Sequence, residues 1–173
     1  MNKISIILTL MLISSVAFGQ TTKIEPAKLH ITMPNQEWGL ADTQTNGEMQ
    51  IYFFKRTAIV DSQLRNVIPN ISIITEPNNG LDVVTYSAMK RSSMPFEITE
   101  IFIPKDIKMK YKNGIGYKGT YNDDYGKHQI YAIFLVNGET GVRIICDVLD
   151  EQFEEVEPEF LSAIKSISDK KKK

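Results

Sequence analysis

Three polar side chains on a predicted β-hairpin are the candidates for chemistry in this chain. Two apolar runs are joined by Asn137-Gly138, a pair typical of a two-residue type I′ hairpin turn. The register of that turn places His128 directly opposite Asp147, and Arg143 lies farther along the same face. Because an imidazole beside a carboxylate can carry acid–base catalysis, these three residues form the candidate site.

The same cluster has a simpler interpretation as the polar end of a strand pair. The sequence places no serine or cysteine nucleophile beside His128. We therefore expect an exposed cross-strand pair with no catalytic role, in which His128→Ala lowers stability by only about 0–1 kcal/mol. Ile144→Ala, on the opposite and apolar face, is expected to cost about 2–5 kcal/mol.

Residues that bind metals or cofactors are few or wrongly spaced. His30 and His128 are the only histidines, and neither has cysteine, histidine or aspartate at ligand spacing. The segment Asn122–Gly126 lacks the alternating ligands and distal glutamate of a calcium loop, and it predicts a turn. No glycine spacing matches a phosphate-binding loop, so the sequence predicts no metal and no cofactor.

The first nineteen residues have the pattern of a signal peptide. Lys3 precedes the apolar run Ile4–Ile13, and Ala17-Phe18-Gly19 provides a small-x-small cleavage site. A membrane anchor needs about twenty apolar residues, which this run does not reach. The sequence therefore predicts cleavage before Gln20 and an exported protein, periplasmic or extracellular, that does not span the membrane.

Composition limits the remaining chain to one globular domain, expected over residues 20–168. The 173 residues are 42% hydrophobic, and a net charge of −1 gives no indication of nucleic-acid binding. The single cysteine, Cys146, is expected to be buried and inert on an inward strand face. Asp169 and Lys170–Lys173 are expected to form a solvated, disordered tail, with contact to an anionic membrane as the alternative.

Strand patterns occupy most of the domain, after a short polar leader and with an irregular connection over Thr57–Pro69. The predicted strands are Lys28–Met33, Glu48–Arg56, Asn70–Thr75, Phe96–Ile103 with one bulge, Ile115–Tyr121, His128–Val136 and Glu139–Leu149. The last three form an antiparallel meander. Tyr52, Phe53 and Phe54 are consecutive, so one ring faces away from the others. We expect that ring to lie beneath a helix, with an exposed binding surface as the alternative.

Two segments have helical periodicity. Leu81–Arg91 follows Asn79, which is a suitable N-cap residue. The second segment runs from about Glu157 to Ser168, carries the most regular apolar stripe in the chain, and has Pro158 in its expected first turn. Because both faces of the central hairpin are largely apolar, we expect an α+β fold with helices packed on an antiparallel sheet.

The order of these elements resembles the PsbP-like and DcrB-like proteins. The resemblance rests on Leu29–Pro34 running into Trp38, the single mid-chain helix, the meander, and the final run Phe160–Ile167. It extends from Lys28 to Ile167 and implies six or seven antiparallel strands with helices on both faces. It also implies exported, generally non-enzymatic accessory or binding roles, in photosystem assembly or in the bacterial envelope. No functional residues are carried over.

Three functional classes follow from these observations. The expected class is a non-catalytic binding or accessory protein of the cell envelope, whose partner is another envelope protein. One alternative is a carrier of a small apolar ligand held between sheet and helix. The other is an enzyme that uses His128 and Asp147.

Overall fold

The computed structural model describes residues 19–169. Nearly all of the predicted signal peptide and the run Lys170–Lys173 lie outside the described residues, so both stay predictions.

Eleven strands and two α-helices occur in the described residues. The strands are β1 (Thr21–Ile24), β2 (Leu29–Thr32), β3 (Trp38–Asn46), β4 (Met49–Arg56), β5 (Ile59–Val60), β6 (Asn66–Val67), β7 (Asn70–Pro77), β8 (Glu97–Phe102), β9 (Gly114–Asp123), β10 (Gly126–Asn137) and β11 (Thr140–Leu149). The helices are α1 (Val83–Arg91) and α2 (Phe153–Ser166).

Seven of the strands form one antiparallel sheet in the order β3-β4-β7-β11-β10-β9-β8. The predicted α+β fold with an antiparallel sheet of six or seven strands is therefore confirmed. The predicted bulge is present in β8, where the pairing with β9 shifts between Ile98 and Glu100. The strand pairs β1-β2 and β5-β6 form two small separate sheets.

The two helices cover opposite faces of the sheet. Buried α2 side chains share the larger core with Ile133 and Ile144, which point to one face. Tyr86 of α1 shares a second core with Ala132 and Phe134, which alternate with the first set and point to the other face. Both apolar faces of the hairpin formed by β10 and β11 are thus covered, as their sequences require.

The turn between β10 and β11 differs from the prediction by two residues of register. Asn137 pairs with Thr140, so the turn residues are Gly138 and Glu139. Gly138 has a φ of 60° and Glu139 does not have a positive φ, which is the pattern of a type II′ turn rather than type I′. A shift of two preserves the predicted faces but moves the partners, so His128 pairs with Leu149 and Asp147 with Ile130.

Several local predictions were wrong. The polar leader forms β1, and the segment predicted as a connection contains β5 and β6. Helix α1 is capped by Asp82, whose side chain accepts hydrogen bonds from Val84 N and Thr85 N, and not by Asn79. Helix α2 begins at Phe153, one turn before the predicted start, so Pro158 lies inside the helix.

Candidate functional site

His128 and Asp147 are in contact, as diagonal rather than direct cross-strand neighbours. His128 Nδ1 lies 2.9 Å from Asp147 Oδ1. The two side chains are only 12% and 18% exposed. The pair is therefore more enclosed than the exposed strand end predicted from the sequence.

Two residues from β9 complete the surroundings of the imidazole. The Tyr121 ring stacks on His128 with a centroid distance of 4.6 Å and an interplanar angle of 17°. The Tyr121 hydroxyl donates to Asp147 Oδ2 at 3.0 Å. His128 Nε2 is buried and lies 3.2 Å from Asp123 Oδ1, without the direction of a hydrogen bond. Sequence patterns did not identify Tyr121 or Asp123, because only the pairing of β9 with β10 brings them here.

The environment changes the pKa values of these two β9 residues. Burial and the neighbouring Asp147 carboxylate raise the pKa of Tyr121, so its hydroxyl remains a hydrogen-bond donor. Burial also acts to raise the pKa of Asp123, but backbone hydrogen bonds from Tyr125 and Gly126 and the nearby His128 outweigh it. The pKa of Asp123 therefore lies below its usual range, and this carboxylate is charged at neutral pH.

Arg143 belongs to a different polar network. Its Nε lies 3.2 Å from Glu76 Oε1. Glu76, which is 8% exposed, also accepts hydrogen bonds from the Tyr86 hydroxyl and from Lys90 Nζ, each at 2.9 Å. The structure thus brings His128 and Asp147 together, while Arg143 is paired with a carboxylate beneath α1.

An open cleft borders the His128–Asp147 pair. Its volume is about 380 Å³. The lining residues are Arg65, Asn66, Val67, Ile68, Asn70, Tyr125, His128, Asp147, Val148 and Leu149. Asn70 and Asp147 also line a second cleft of about 310 Å³ toward α1, which Arg143 borders as well. The candidate residues therefore lie where two surface clefts meet.

Two exposed apolar side chains, Ile68 and Tyr125, line the first cleft, and two more, Val60 and Leu64, belong to the small hairpin whose residues Arg65–Val67 form part of its wall. We call these four side chains the apolar patch. Their exposed fractions are 59%, 85%, 48% and 71%. Three of them lie on or beside the small hairpin of β5 and β6, and Tyr125 lies in the β9–β10 turn. Arg65 joins the two segments, because its Nη1 donates to the Tyr125 carbonyl at 3.3 Å.

Local polar contacts hold the turn of this hairpin, while its Val67 and Ile59 pack against the larger core. The buried Asp61 side chain accepts hydrogen bonds from Arg65 N at 2.7 Å and from Arg65 Nε at 2.6 Å. Leu64 lies in the resulting turn with a φ of 62°, a left-handed conformation that costs a branched side chain about 1–2 kcal/mol.

The remaining sequence candidates lie apart from the His128–Asp147 pair or form no cluster. Cys146 is fully buried, as predicted, and burial raises the pKa of its thiol, which favours the protonated form. Within residues 19–169, no three histidine, cysteine, aspartate or glutamate side chains are grouped as metal ligands. Phe53 does not lie beneath a helix but is half-buried in an open cleft of about 440 Å³ formed by β3, β4 and β7 together with Ile68.

The space between α2 and the sheet is filled. Val156, Phe160 and Ile164 on the helix are 0% exposed, and Ile144 beneath them is 1% exposed. The clefts described above open elsewhere on the surface. The structure therefore lends no support to the alternative of an apolar ligand held between sheet and helix. Among residues 19–169, no helix is long and apolar enough to cross a membrane.

Sequence comparison finds no match: no protein-family model and no curated protein sequence matches this chain. Structure comparison does find similar folds. Cyanobacterial PsbP (CyanoP) from Synechocystis sp. PCC 6803 has a TM-score of 0.54 at 10% identity, over 90% of this chain and 94% of that chain. LpqN of Mycobacterium tuberculosis, a protein involved in cell envelope biogenesis, has a TM-score of 0.53 at 11% identity, over 86% and 90%.

The Ran-binding protein Mog1p of Saccharomyces cerevisiae is a third similar structure. Its TM-score is 0.52 at 9% identity, over 86% of this chain and 94% of that chain. Identities this low carry the fold alone, so membership of the PsbP-like or DcrB-like family stays a prediction. The fold itself, an antiparallel sheet between helices, is PsbP-like.

Proposed function

We propose that this protein is an exported, non-catalytic binding or accessory protein of the cell envelope, and that it binds another envelope protein through the apolar patch and its cleft. The observation that carries the proposal is the strained and exposed Leu64 beside three further exposed apolar side chains. Exposed apolar groups gathered around a cleft are typical of protein-binding sites.

The surroundings of His128 favour binding over catalysis. A general base must come within hydrogen-bond reach of the proton that it removes. Here Nδ1 faces Asp147, and Nε2 is buried next to Asp123, so neither ring nitrogen is directed into the cleft. The imidazole of β10 then has a structural role, because it contacts Tyr121 and Asp123 of β9 and Asp147 of β11. These contacts stabilise the wall of the cleft.

The similar structures support the same class by analogy. LpqN is described as involved in cell envelope biogenesis, CyanoP is a PsbP protein, and Mog1p binds Ran. A shared fold does not transfer a partner from one protein to another. Mog1p supports the proposal as one example of a protein with this fold that binds a partner.

Site-specific crosslinking tests the proposal. A photoreactive benzoylphenylalanine in place of Tyr125 should give one major adduct with an envelope protein in the producing cell. Leu64→Asn should abolish that adduct, because asparagine tolerates the left-handed conformation but removes the apolar side chain. Val84→Asn is the matched control, since Val84 is 62% exposed on α1.

The expected result is loss of the adduct with Leu64→Asn and its retention with Val84→Asn. An adduct that survives Leu64→Asn, or that both substitutions weaken equally, would contradict the proposed surface. A thermal melt of each variant should show an unchanged fold.

A further inference from the structure

Nine of the 20 basic residues of this protein lie in two short segments. Residues 105–113 and 165–173 together contain nine lysines and two aspartates, a formal charge of +7. Since the whole chain carries −1, all other residues together carry −8. A separation of charge on this scale creates a strong local field although the net charge is small.

The fold brings residues 105–113 next to the described part of the second segment, residues 165–169. The loop after β8 lies along the last turn of α2, where Lys110 N donates to the Lys165 carbonyl at 3.3 Å and Tyr111 N to the Ile167 carbonyl at 2.9 Å. We call the five described lysines of this region the basic pole: Lys105, Lys108, Lys110, Lys112 and Lys165. The sequence beyond Asp169 adds four more lysines to the same chain end.

The lysines of the basic pole outnumber the carboxylates beside them. All five are exposed, and none forms an ion pair within residues 19–169. Asp106 and Asp169 are the acidic residues of the two segments, and Asp106 accepts a backbone hydrogen bond from Ile103 N at 2.8 Å. Lys165 in the last turn of α2 is enough to offset the dipole of that helix. The helix dipole therefore does not explain why the other four lysines lie here.

A polar cleft opens at the basic pole. It has a volume of about 360 Å³ and is lined by Thr21, His30, Thr32, Lys110, Ser166, Ser168 and Asp169. The buried His30 Nδ1 has no hydrogen-bond partner in the described part of the chain. Hydroxyl groups, an ammonium group and an imidazole can donate hydrogen bonds to a phosphodiester, whereas the Asp169 carboxylate would repel its negative charge.

Exposed apolar side chains adjoin the same loop. Ile101 and Ile103 are 63% and 48% exposed, and Ile103 lies two residues before Lys105. Isoleucine side chains next to lysines are the combination by which peripheral proteins contact a bilayer, with apolar groups at the acyl boundary and ammonium groups at the phosphates.

We propose that the basic pole binds the anionic phospholipid headgroups of a membrane surface. This inference goes beyond the proposed function, since it concerns a second surface and a different partner. A membrane is favoured over an extended soluble polyanion because the rest of the molecule carries −8. A polyanion that wrapped the protein would meet this negative charge, whereas a flat surface touches only one end.

The position of the basic pole sets the orientation of the bound protein. Tyr111 Oη and Asn113 Nδ2 donate to the Val136 carbonyl at 2.6 and 2.8 Å, so the loop lies at the end of β10. His128 lies near the start of the same strand, about 26 Å away at about 3.3 Å per residue. Contact at the basic pole would therefore leave the apolar patch directed away from the bilayer and accessible to a partner.

Vesicle binding tests this proposal with the protein expressed from its full sequence and purified from the compartment where it accumulates. The probes are vesicles of phosphatidylcholine alone and vesicles containing about one third phosphatidylglycerol. The protein should sediment with the anionic vesicles only, and more weakly as ionic strength rises, since salt screens exposed charges. The double substitution K108Q/K110Q should weaken binding by about 10- to 30-fold, because each lysine near the surface contributes about 1 kcal/mol.

The matched control is K55Q/K127Q, which removes the same charge from exposed lysines away from the pole. It should leave binding within about twofold of the original. Equal losses in both variants would show an effect of net charge alone and would overturn the assigned site. Equal binding to neutral vesicles, or binding to soluble polyphosphate without binding to anionic vesicles, would overturn the membrane as partner. None of these results depends on the apolar patch.

Discussion

His128 shows how one side chain can connect three strands. It extends from β10, stacks on Tyr121 of β9, and contacts Asp147 of β11. The Tyr121 hydroxyl donates a hydrogen bond to the second oxygen of the Asp147 carboxylate. Removal of the imidazole would leave a mostly buried carboxylate and hydroxyl without a common partner, which is the costly way to break a polar network.

We therefore expect His128→Ala to lower the free energy of unfolding by about 1–3 kcal/mol, more than the 0–1 kcal/mol that an exposed pair would give. Ile144→Ala should cost about 2–5 kcal/mol, because it leaves a cavity where the side chain is 1% exposed. Chemical denaturation at neutral pH measures both. A loss below about 0.5 kcal/mol for His128→Ala would mean that the network contributes little to stability.

Single residues also explain why part of the site could not be predicted. The faces of the hairpin followed from alternation along the sequence, so His128 and Asp147 were placed on one side correctly. Tyr121 and Asp123 could not be assigned, because their contacts depend on the register between β9 and β10 and no turn motif fixed it. Arg143 shares their face, but the charge of Glu76 determines its contact.

At the scale of elements, α2 is anchored by a carboxylate that periodicity does not reveal. Glu159 accepts hydrogen bonds from Trp38 Nε1 at 2.6 Å, Arg56 Nε at 2.9 Å and Asn35 Nδ2 at 3.0 Å. The apolar stripe predicted that α2 packs on the sheet, and the structure confirms it. The early start at Phe153 was missed because Pro158 was assigned to the first turn, whereas buried Phe153 and Val156 hold an additional turn before it.

Helix α1 packs closely on β11 because residue 141 of that strand is a glycine. A side chain at Gly141 of β11 would come within 2.4 Å of the Tyr86 ring, and the hydrogen bond from Tyr86 to Glu76 restricts the movement of that ring. Gly141 is therefore needed so that the Tyr86 ring can approach the backbone of β11, and not because it adopts an unusual backbone angle.

Gly141→Ala should lower the free energy of unfolding by about 1–3 kcal/mol through overpacking between α1 and the sheet. Gly39→Ala in the edge strand β3 is the control, because no atom lies within 4 Å of the added methyl group. Urea denaturation of the two variants makes the comparison. Equal stabilities would show that α1 can move away from the sheet without cost.

At the scale of the whole molecule, the two proposed binding surfaces lie at opposite ends of the sheet. The apolar patch and His128 lie near the start of β10, and the basic pole lies near its end. Strand alternation and helix periodicity predicted the layers of this arrangement. The small hairpin of β5 and β6 was not predicted, because its two-residue strands are too short for periodicity, and its polar turn depends on the contact between Asp61 and Arg65.

The first strand that the structure describes lies directly after the predicted processing site. β1 begins at Thr21, and the Gln20 carbonyl accepts a hydrogen bond from Met33 N at 3.0 Å. Cleavage between Gly19 and Gln20 would therefore leave the first strand complete, whereas cleavage four or five residues later would remove most of its pairing with β2.

We expect the mature protein to begin at Gln20 and to accumulate outside the cytoplasm. Intact-mass and N-terminal peptide analysis of the fractionated protein measure both. Leu8→Arg should block processing, because a charge interrupts the apolar segment that export requires. The Gly39→Ala variant should be processed normally, since that change lies in the folded domain. Recovery of the unsubstituted protein with Met1 attached would contradict a cleaved signal peptide, and it would also remove the basis for placing the apolar patch and the basic pole in the cell envelope.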